Sequence, residues 1–392
     1  MSSLPTTCVD LASRMITFDT VVPYHSGRPD AEQPLSYELA DIARKWGFAL
    51  RQLPIPGAAT NLLIECPATV PDASWYLLDS HLDTVGVEGM TIPPFEPQLS
   101  AGRLYGRGSC DTKGTGAAMF WALRQYALQA ERPNKIALLF SVGEEHVQLG
   151  ARAFVNQHLP MLAWKPQGVI VGEPTQMKVV AATGGFVRWR IATLGAAAHS
   201  SRPERGHNAI YDMARVVTTL VDDYLPTITA EHPLIGRASA AMTVVRGGQQ
   251  VNVIPSRCEA TFDRRLVPGE EGDEEVAKVR ELLDRLSLHY PGIQIEHLGF
   301  ESAPPMATLD DEALARRAAE VLNSAGVSTT IAGELYTTNG NHFAAAGLPT
   351  IVTGPGDIAQ AHTPDEYIDL EQLELGVQGY LALMNGLGAV RS

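Results

Sequence analysis

Apolar runs that end in polar residues alternate, over the first half of the chain, with stretches whose apolar positions recur at helical spacing. WYLLDSHLD (residues 75–83) opens as an apolar run and closes on His81 and Asp83. TKGTGAAMFWALRQYALQ (112–129) carries small and apolar residues at helical spacing. KIALLFSVGEE (135–145) is a buried-type strand that ends in Glu144 and Glu145, and GVIVGEPT (168–175) is another that reaches Glu173. Strands alternating with helices predict a mainly parallel sheet with helices on both faces. Ligands of such sheets bind at the carboxyl ends of the strands, and the polar residues fall there each time.

The rhythm changes near Thr183. FVRWRIATL predicts a strand, residues 207–222 a helix, AAMTVVRGG and RCEATFDRR two strands, residues 273–288 a charged amphipathic helix, and IQIEHLGF a last strand. The order β-α-β-β-α-β is that of a ferredoxin-like module, a small sheet with two helices on one face. From about Glu301 the α/β rhythm resumes with a helix over 310–325 and the strand in LPTIVTGPG. The expected organisation is a catalytic α/β domain of residues 1–182 and 301–392, with a module of residues 183–300 inserted into it.

Composition narrows the function classes. The 30 Lys and Arg against 44 Asp and Glu give a formal net charge of −14, with no cluster of cations. Nucleic acid, which binds clustered cations, is therefore not an expected partner. No window approaches the roughly 18 uninterrupted apolar residues that span a bilayer. The first residues, MSSLPTTCVDLASRMITF, have neither a basic leader nor a compact apolar segment, so a secretory signal is not expected. Cys8, Cys66, Cys110 and Cys258 lie far apart, which fits neither a disulfide framework nor a cysteine zinc site. A cytoplasmic enzyme is the expectation.

The candidate chemistry lies in His81, Asp83, Asp111, Glu144, Glu145, Glu173 and His362. Each alone has an ordinary explanation: a lone His is more often structural, and an Asp before a helix, as in SCDTKG, is more often a cap. Their coincidence at strand ends that share one sheet edge points to metal. Imidazoles and carboxylates suit zinc, and several carboxylates allow two cations to share a bridging one.

YLLDSHLDTV, GRLYGRGSCDTKG, SVGEEHVQLGAR and VGEPT, in this order, resemble the dinuclear zinc amidohydrolase and peptidase family of acetylornithine deacetylase, succinyl-diaminopimelate desuccinylase, aminoacylase and carboxypeptidase G. HSSRPERGHNAI, GGQQVNVIPSRCEATFDRRLVPGE and GPGDIAQAHTPDEY extend the resemblance over nearly the whole chain, and the last motif is most similar to acetylornithine deacetylase. The resemblance implies a catalytic domain with an inserted ferredoxin-like dimerisation or lid domain, a homodimer, and two divalent ions: zinc first, with cobalt or manganese also accepted by such ligands. It implies that His81 and Glu173 hold one ion, Glu145 and His362 the other, and that Asp111 bridges them, with the Asp111–Thr112 peptide cis. Asp83 would fix the tautomer of His81. Glu144, whose side chain diverges from that of its neighbour, would be the general base for the attack of water on an amide carbon. The inserted domain would supply His199, reaching the scissile carbonyl from the partner subunit, and Asn252 and Arg265, gripping the substrate's carboxylate.

The expected reaction is hydrolysis of an N-acyl amino acid, N-acetylornithine or a close analogue. A desuccinylase or a metallo-carboxypeptidase would use the same machinery with another pocket. A metal-dependent binding protein on a dead scaffold is disfavoured by an intact Glu144 and ligand set, and a TIM-barrel amidohydrolase by the interrupting module. One departure concerns YTTNGNHFAAAGLP, where many relatives carry Asp and Arg in a T-D-x-R pattern; here Asn339 and Asn341 stand in those slots and His342 follows. Substrate choice is the property this departure bears on.

Overall fold

The protein is described by a computed structural model that covers residues 3–307 and 309–388. The expected catalytic range also takes in residues 1–2, 308 and 389–392, which lie outside the described residues. The chain divides into two compact units, one of Met1–Ala181, Ala307–Ala332 and Thr338–Ser392, the other of Ala182–Met306 and Gly333–Thr337.

The first unit is built on an eight-stranded sheet. Its strands run in the order Ala49–Leu53, Asn61–Cys66, Lys135–Ser141, Trp75–His81, Gly168–Val171, Thr350–Val352, Val179–Thr183, Ile331–Glu334. The four central strands are parallel, and antiparallel partners flank them. Parallel strands are covered on both faces, which is why they read as unbroken apolar runs rather than alternating ones. Tyr76, Leu78, Ile136, Leu138 and Phe140 belong to the core that helices Cys8–Ile16, Lys113–Ala127 and Leu370–Gly386 complete. The alternate positions Leu63, Leu77, Leu139 and Val169 are equally buried and face the other way. Helix Asn339–Ala345 packs on strands Gly168–Val171 and Thr350–Val352. A three-stranded sheet of Gln98–Ser100, Arg103–Tyr105 and Tyr367–Asp369 has strands too short to be marked by periodicity, and sequence reading does not find it.

The second unit has the expected β-α-β-β-α-β order: Gly185–Leu194, helix Ala209–Thr219, Ser239–Gly247, Arg257–Leu266, helix Gly272–His289, Gln294–Ala303. The strands form one antiparallel sheet ordered Ser239–Gly247, Arg257–Leu266, Gly185–Leu194, Gln294–Ala303. Along Arg257–Leu266, burial alternates strictly, with Cys258, Ala260, Phe262, Arg264 and Leu266 inside. Val276, Val279, Leu283 and Leu286 form the matching stripe on helix Gly272–His289. The helix predicted over 207–222 ends as an α-helix at Thr219 and continues as a π-turn over Leu220–Tyr224. Among the described residues no helix is long and apolar enough to cross a membrane.

Candidate metal centre

His81 is the last residue of strand Trp75–His81, and Glu144 and Glu145 open a short helix directly after Lys135–Ser141. Glu173 follows Gly168–Val171 by two residues, Asp111 stands just before helix Lys113–Ala127, and His362 lies in the loop after the turn Ile358–Gln360. All six side chains belong to the first unit.

Three of them, His81, Asp111 and Glu145, present ligand atoms within 4.8 Å of one another. Each oxygen of Asp111 faces a different imidazole: Oδ1 is 3.1 Å from His81 Nε2 and Oδ2 is 3.3 Å from His362 Nε2. His362 Nε2 is also 3.1 Å from Glu145 Oε2. His362 is held in the left-handed region at φ +61°, an unusual conformation for a non-glycine residue. The Asp111–Thr112 peptide is cis.

Asp83 does more than its sequence position suggests. Its main-chain oxygen lies 3.0 Å from His81 Nδ1, closer than its carboxylate Oδ1 at 3.5 Å. A carbonyl only accepts, so Nδ1 carries a proton, and Nε2 is the nitrogen turned to Asp111. The carboxylate of Asp83 instead accepts the main-chain N–H groups of Glu144 and Glu145, at 3.0 and 2.9 Å. Gly143, at φ +66°, permits the sharp entry into that turn.

The donor set fits divalent cations. Burial works against a charged His81, but its hydrogen bonds to Asp111 and Asp83 outweigh that and hold it well above the ordinary imidazole range. Nε2 thus meets Asp111 Oδ1 at 3.1 Å through a proton, and a cation ligated by both would take that proton's place. Carboxylates also outnumber imidazoles. Burial first, and then the charge of Asp111, pushes Glu145 up to about 7. Burial likewise drives Glu144 and Glu173 well above the ordinary carboxyl range. Burial also works against ionisation of Asp111, but its hydrogen bonds to His362 and His81 outweigh that and hold it low. His362 is raised to about 11 by its hydrogen bonds to Asp111 and Glu145. Added positive charge would relieve this excess of buried acid.

Two buried carboxylates escape sequence reading. Glu32 accepts the N–H of Gly143 at 3.1 Å and is pushed up to about 8 by burial and by Asp83. Glu366, within the HTPDEY motif, accepts N–H groups of the loop that carries Asp111. Nothing in their spacing marks either residue, because their partners lie far away in the chain.

The remaining candidates lie in the second unit. His199 and Asn252 occupy neighbouring loops joined by Ser200 N–H to Asn252 O at 3.0 Å and Ile254 N–H to Ala198 O at 2.8 Å. Both residues are exposed. His199 Nδ1 accepts the Ser201 N–H at 3.2 Å, which leaves Nε2 as the donor. Arg265 lies towards the opposite end of the sheet. It pairs with Phe186 in the ladder, whereas Arg257 pairs with Leu194, so about 26 Å of strand separates the two ends. Arg265 Nε is 2.7 Å from Asp263 Oδ1.

The departure at 339–342 has a structural content. Asn339 is buried, and its Nδ2 donates to Asp79 Oδ2 and Ser141 Oγ, both at 2.9 Å. Asn341 Oδ1 accepts the N–H of Thr338 and caps the helix that starts there. Burial pushes Asp79 up to about 6, and the Asn339 hydrogen bond offsets part of that. Asn339→Asp would set a second carboxylate against Asp79, so the pair would retain a proton in the folded state. A folded state that binds the extra proton loses stability as pH rises. The expected cost is about 1–3 kcal/mol at pH 8 and less at pH 5. Thermal melts of the two proteins at both pH values check this; a gap that does not widen with pH refutes it.

Residues 77–386 match the model of the family described as Peptidase family M20/M25/M40. Solved structures agree in fold. An M20 family metallo-carboxypeptidase from Sulfolobus solfataricus superposes with a TM-score of 0.81 at 16% identity, covering 98% of this chain and 100% of that one. Aminopeptidase PepT from Bacillus cereus gives 0.77 at 19%, covering 97% and 98%. A dinuclear metal-binding peptidase of the M20 family from Bacillus subtilis gives 0.71 at 15%, covering 96% of each chain.

Proposed function

The chain belongs to peptidase family M20/M25/M40, and we propose that it is a dinuclear metal-dependent hydrolase that cleaves the amide bond of an N-acyl amino acid, with N-acetylornithine or a close analogue as substrate. The observation that carries the metal chemistry is the carboxylate of Asp111, set with one oxygen towards His81 and the other towards His362. His81 and Glu173 would hold one ion, Glu145 and His362 the second, and Asp111 would bridge them. Zinc is the proposed ion. The dinuclear metal-binding relative from Bacillus subtilis supports the count of two.

When bound, the two cations supply Lewis acidity to the amide carbonyl and lower the pKa of water. Glu144 takes the proton of the attacking water on its carboxylate and passes it to the departing amine nitrogen. Burial raises the Glu144 carboxyl, the direction a general base needs. Asp83 keeps the Glu144 turn in place through two N–H groups. His199, with its proton on Nε2, donates to the oxygen on which charge develops. Asn252 and Arg265, at opposite ends of the inserted sheet, would hold the substrate's carboxylate from different copies of the chain, Arg265 with the part of its guanidinium that Asp263 leaves open.

The inserted unit, with domain limits near 183 and 300, is proposed as the dimerisation domain of a homodimer. Its edge strand Ser239–Gly247 exposes Val244 and Val245, and exposed edges tend to be paired or covered. Four free, buried cysteines support a reducing, cytoplasmic setting.

Dialysis against a chelator is expected to abolish hydrolysis, and zinc or cobalt to restore it. Metal affinity should rise with pH, by about tenfold per unit for each proton displaced, because His362 and Glu145 must release protons to ligate. Active protein with no metal above background overturns the centre. Values of kcat/KM for acetylated, formylated and succinylated ornithine, citrulline, methionine and glutamate test the substrate. A preference for unacylated dipeptides over all of them refutes the deacylase reading.

A further inference from the structure

Glu366 immediately precedes the short strand Tyr367–Asp369, which pairs antiparallel with Arg103–Tyr105 in the register Tyr367↔Tyr105. That ladder, continued by Gly106 N–H to Glu366 O at 3.1 Å, lays Glu366 beside residues 106–111. These residues run in an irregular, buried loop, with Gly106 at φ +144° and Gly108 at φ +84°. Buried N–H groups outside a helix or sheet need acceptors from elsewhere.

Glu366 provides them. One carboxylate oxygen, Oε1, accepts the N–H groups of Cys110 and Asp111, each at 2.8 Å. The other, Oε2, accepts the N–H of Gly108 and Nη1 of Arg107, each at 2.9 Å. The same guanidinium donates from Nε to Gly86 O and from Nη1 to Thr363 O. All four partners of the carboxylate are donors, and Glu366 is 1% exposed. Glu366 also stands four residues after His362. A single carboxylate thus fixes the main chain of Asp111 and ties it to the segment that carries His362.

We propose that Glu366 is a positioning residue for the metal centre: it holds the Asp111 loop so that the two oxygens of Asp111 face His81 and His362. The inference rests on the reading of Asp111 as a ligand. Gln in its place keeps the shape but leaves one pair of donors facing an amide NH2, and Asp keeps the charge on a shorter arm.

The test uses the full-length protein, with cobalt(II) as the probe. Cobalt affinity and the visible absorption of the bound ion are compared for wild type, Glu366→Gln and Glu366→Asp, with thermal melts alongside. The expected result is a dissociation constant raised about 10–100-fold in the Gln variant, less in the Asp variant, with a changed spectrum at saturating cobalt. A lowered melting temperature with wild-type affinity and spectrum makes Glu366 structural only and overturns the proposal. If the Gln variant does not fold, the Asp variant decides by the same criteria. Failure of wild type to bind cobalt would instead overturn the metal centre itself.

Discussion

Glu144→Ala is expected to lower kcat by about 10²–10⁴-fold while both cations remain bound. The turn carrying Glu144 is held by its main chain, through the N–H groups of residues 144 and 145 on Asp83, so truncating the side chain leaves the turn in place. The Glu144 carboxyl is shifted by burial and by surrounding charges, whereas that of Glu145 meets His362 at 3.1 Å. Glu145→Ala should therefore remove one of the two ions. Metal content by mass spectrometry and single-turnover rates separate the two variants. Equal metal content and equal residual activity would mean that base and ligand are wrongly assigned between them.

Mixing inactive His199→Ala subunits with inactive Glu144→Ala subunits is expected to regenerate activity, to about a quarter of wild type for random pairing. Half of the dimers are then mixed, and each mixed dimer has one complete site of two. The basis lies within the inserted unit. Its chain enters at Gly185 and leaves at Ala303, and these ends of the sheet lie together, with Phe186 opposite Ala303. His199 and Asn252 follow the far end, where Leu194 pairs with Arg257. The His199 tautomer leaves an Nε2 proton to offer, and a second copy is where the proposed dimer would use it. A mixture that stays inactive after dissociation and re-association would put His199 to work within its own chain.

Much of this was legible in the sequence because it rests on local pattern. Apolar runs ending in His81, Glu145 and Glu173 gave both the parallel strands and the polar edge, since side-chain burial and strand direction are written in adjacent residues. The β-α-β-β-α-β order was legible for the same reason. The two-residue hairpin strands Glu231–His232 and Gly236–Arg237, and the strands of the sheet with Tyr367–Asp369, were too short to set up a period. Hidden too were the residues that act on main chain far away: Asp83 on residues 144 and 145, Glu32 on Gly143, Glu366 on the Asp111 loop. A carboxylate that accepts from distant N–H groups looks, in a sequence, like any acid in a loop. The Asn339–Asp79 pair, 260 residues apart, illustrates the same point.

The join at Thr183 and Met306, whose main chains exchange hydrogen bonds of 2.8 and 3.0 Å, bears on how the chain reaches its fold. To the larger unit, the excursion between these residues is a loop whose ends already touch. Loop-closure entropy grows only as the logarithm of loop length, so once the inserted strands pair, closing the host costs about as much as closing a short turn. The expected order is autonomous condensation of the insert, followed by the long-range pairing of Thr350–Val352 with Gly168–Val171. Replacing residues 185–303 with a few glycines should leave a host that still folds, and two chain ends side by side make the insert a unit that can be transplanted whole.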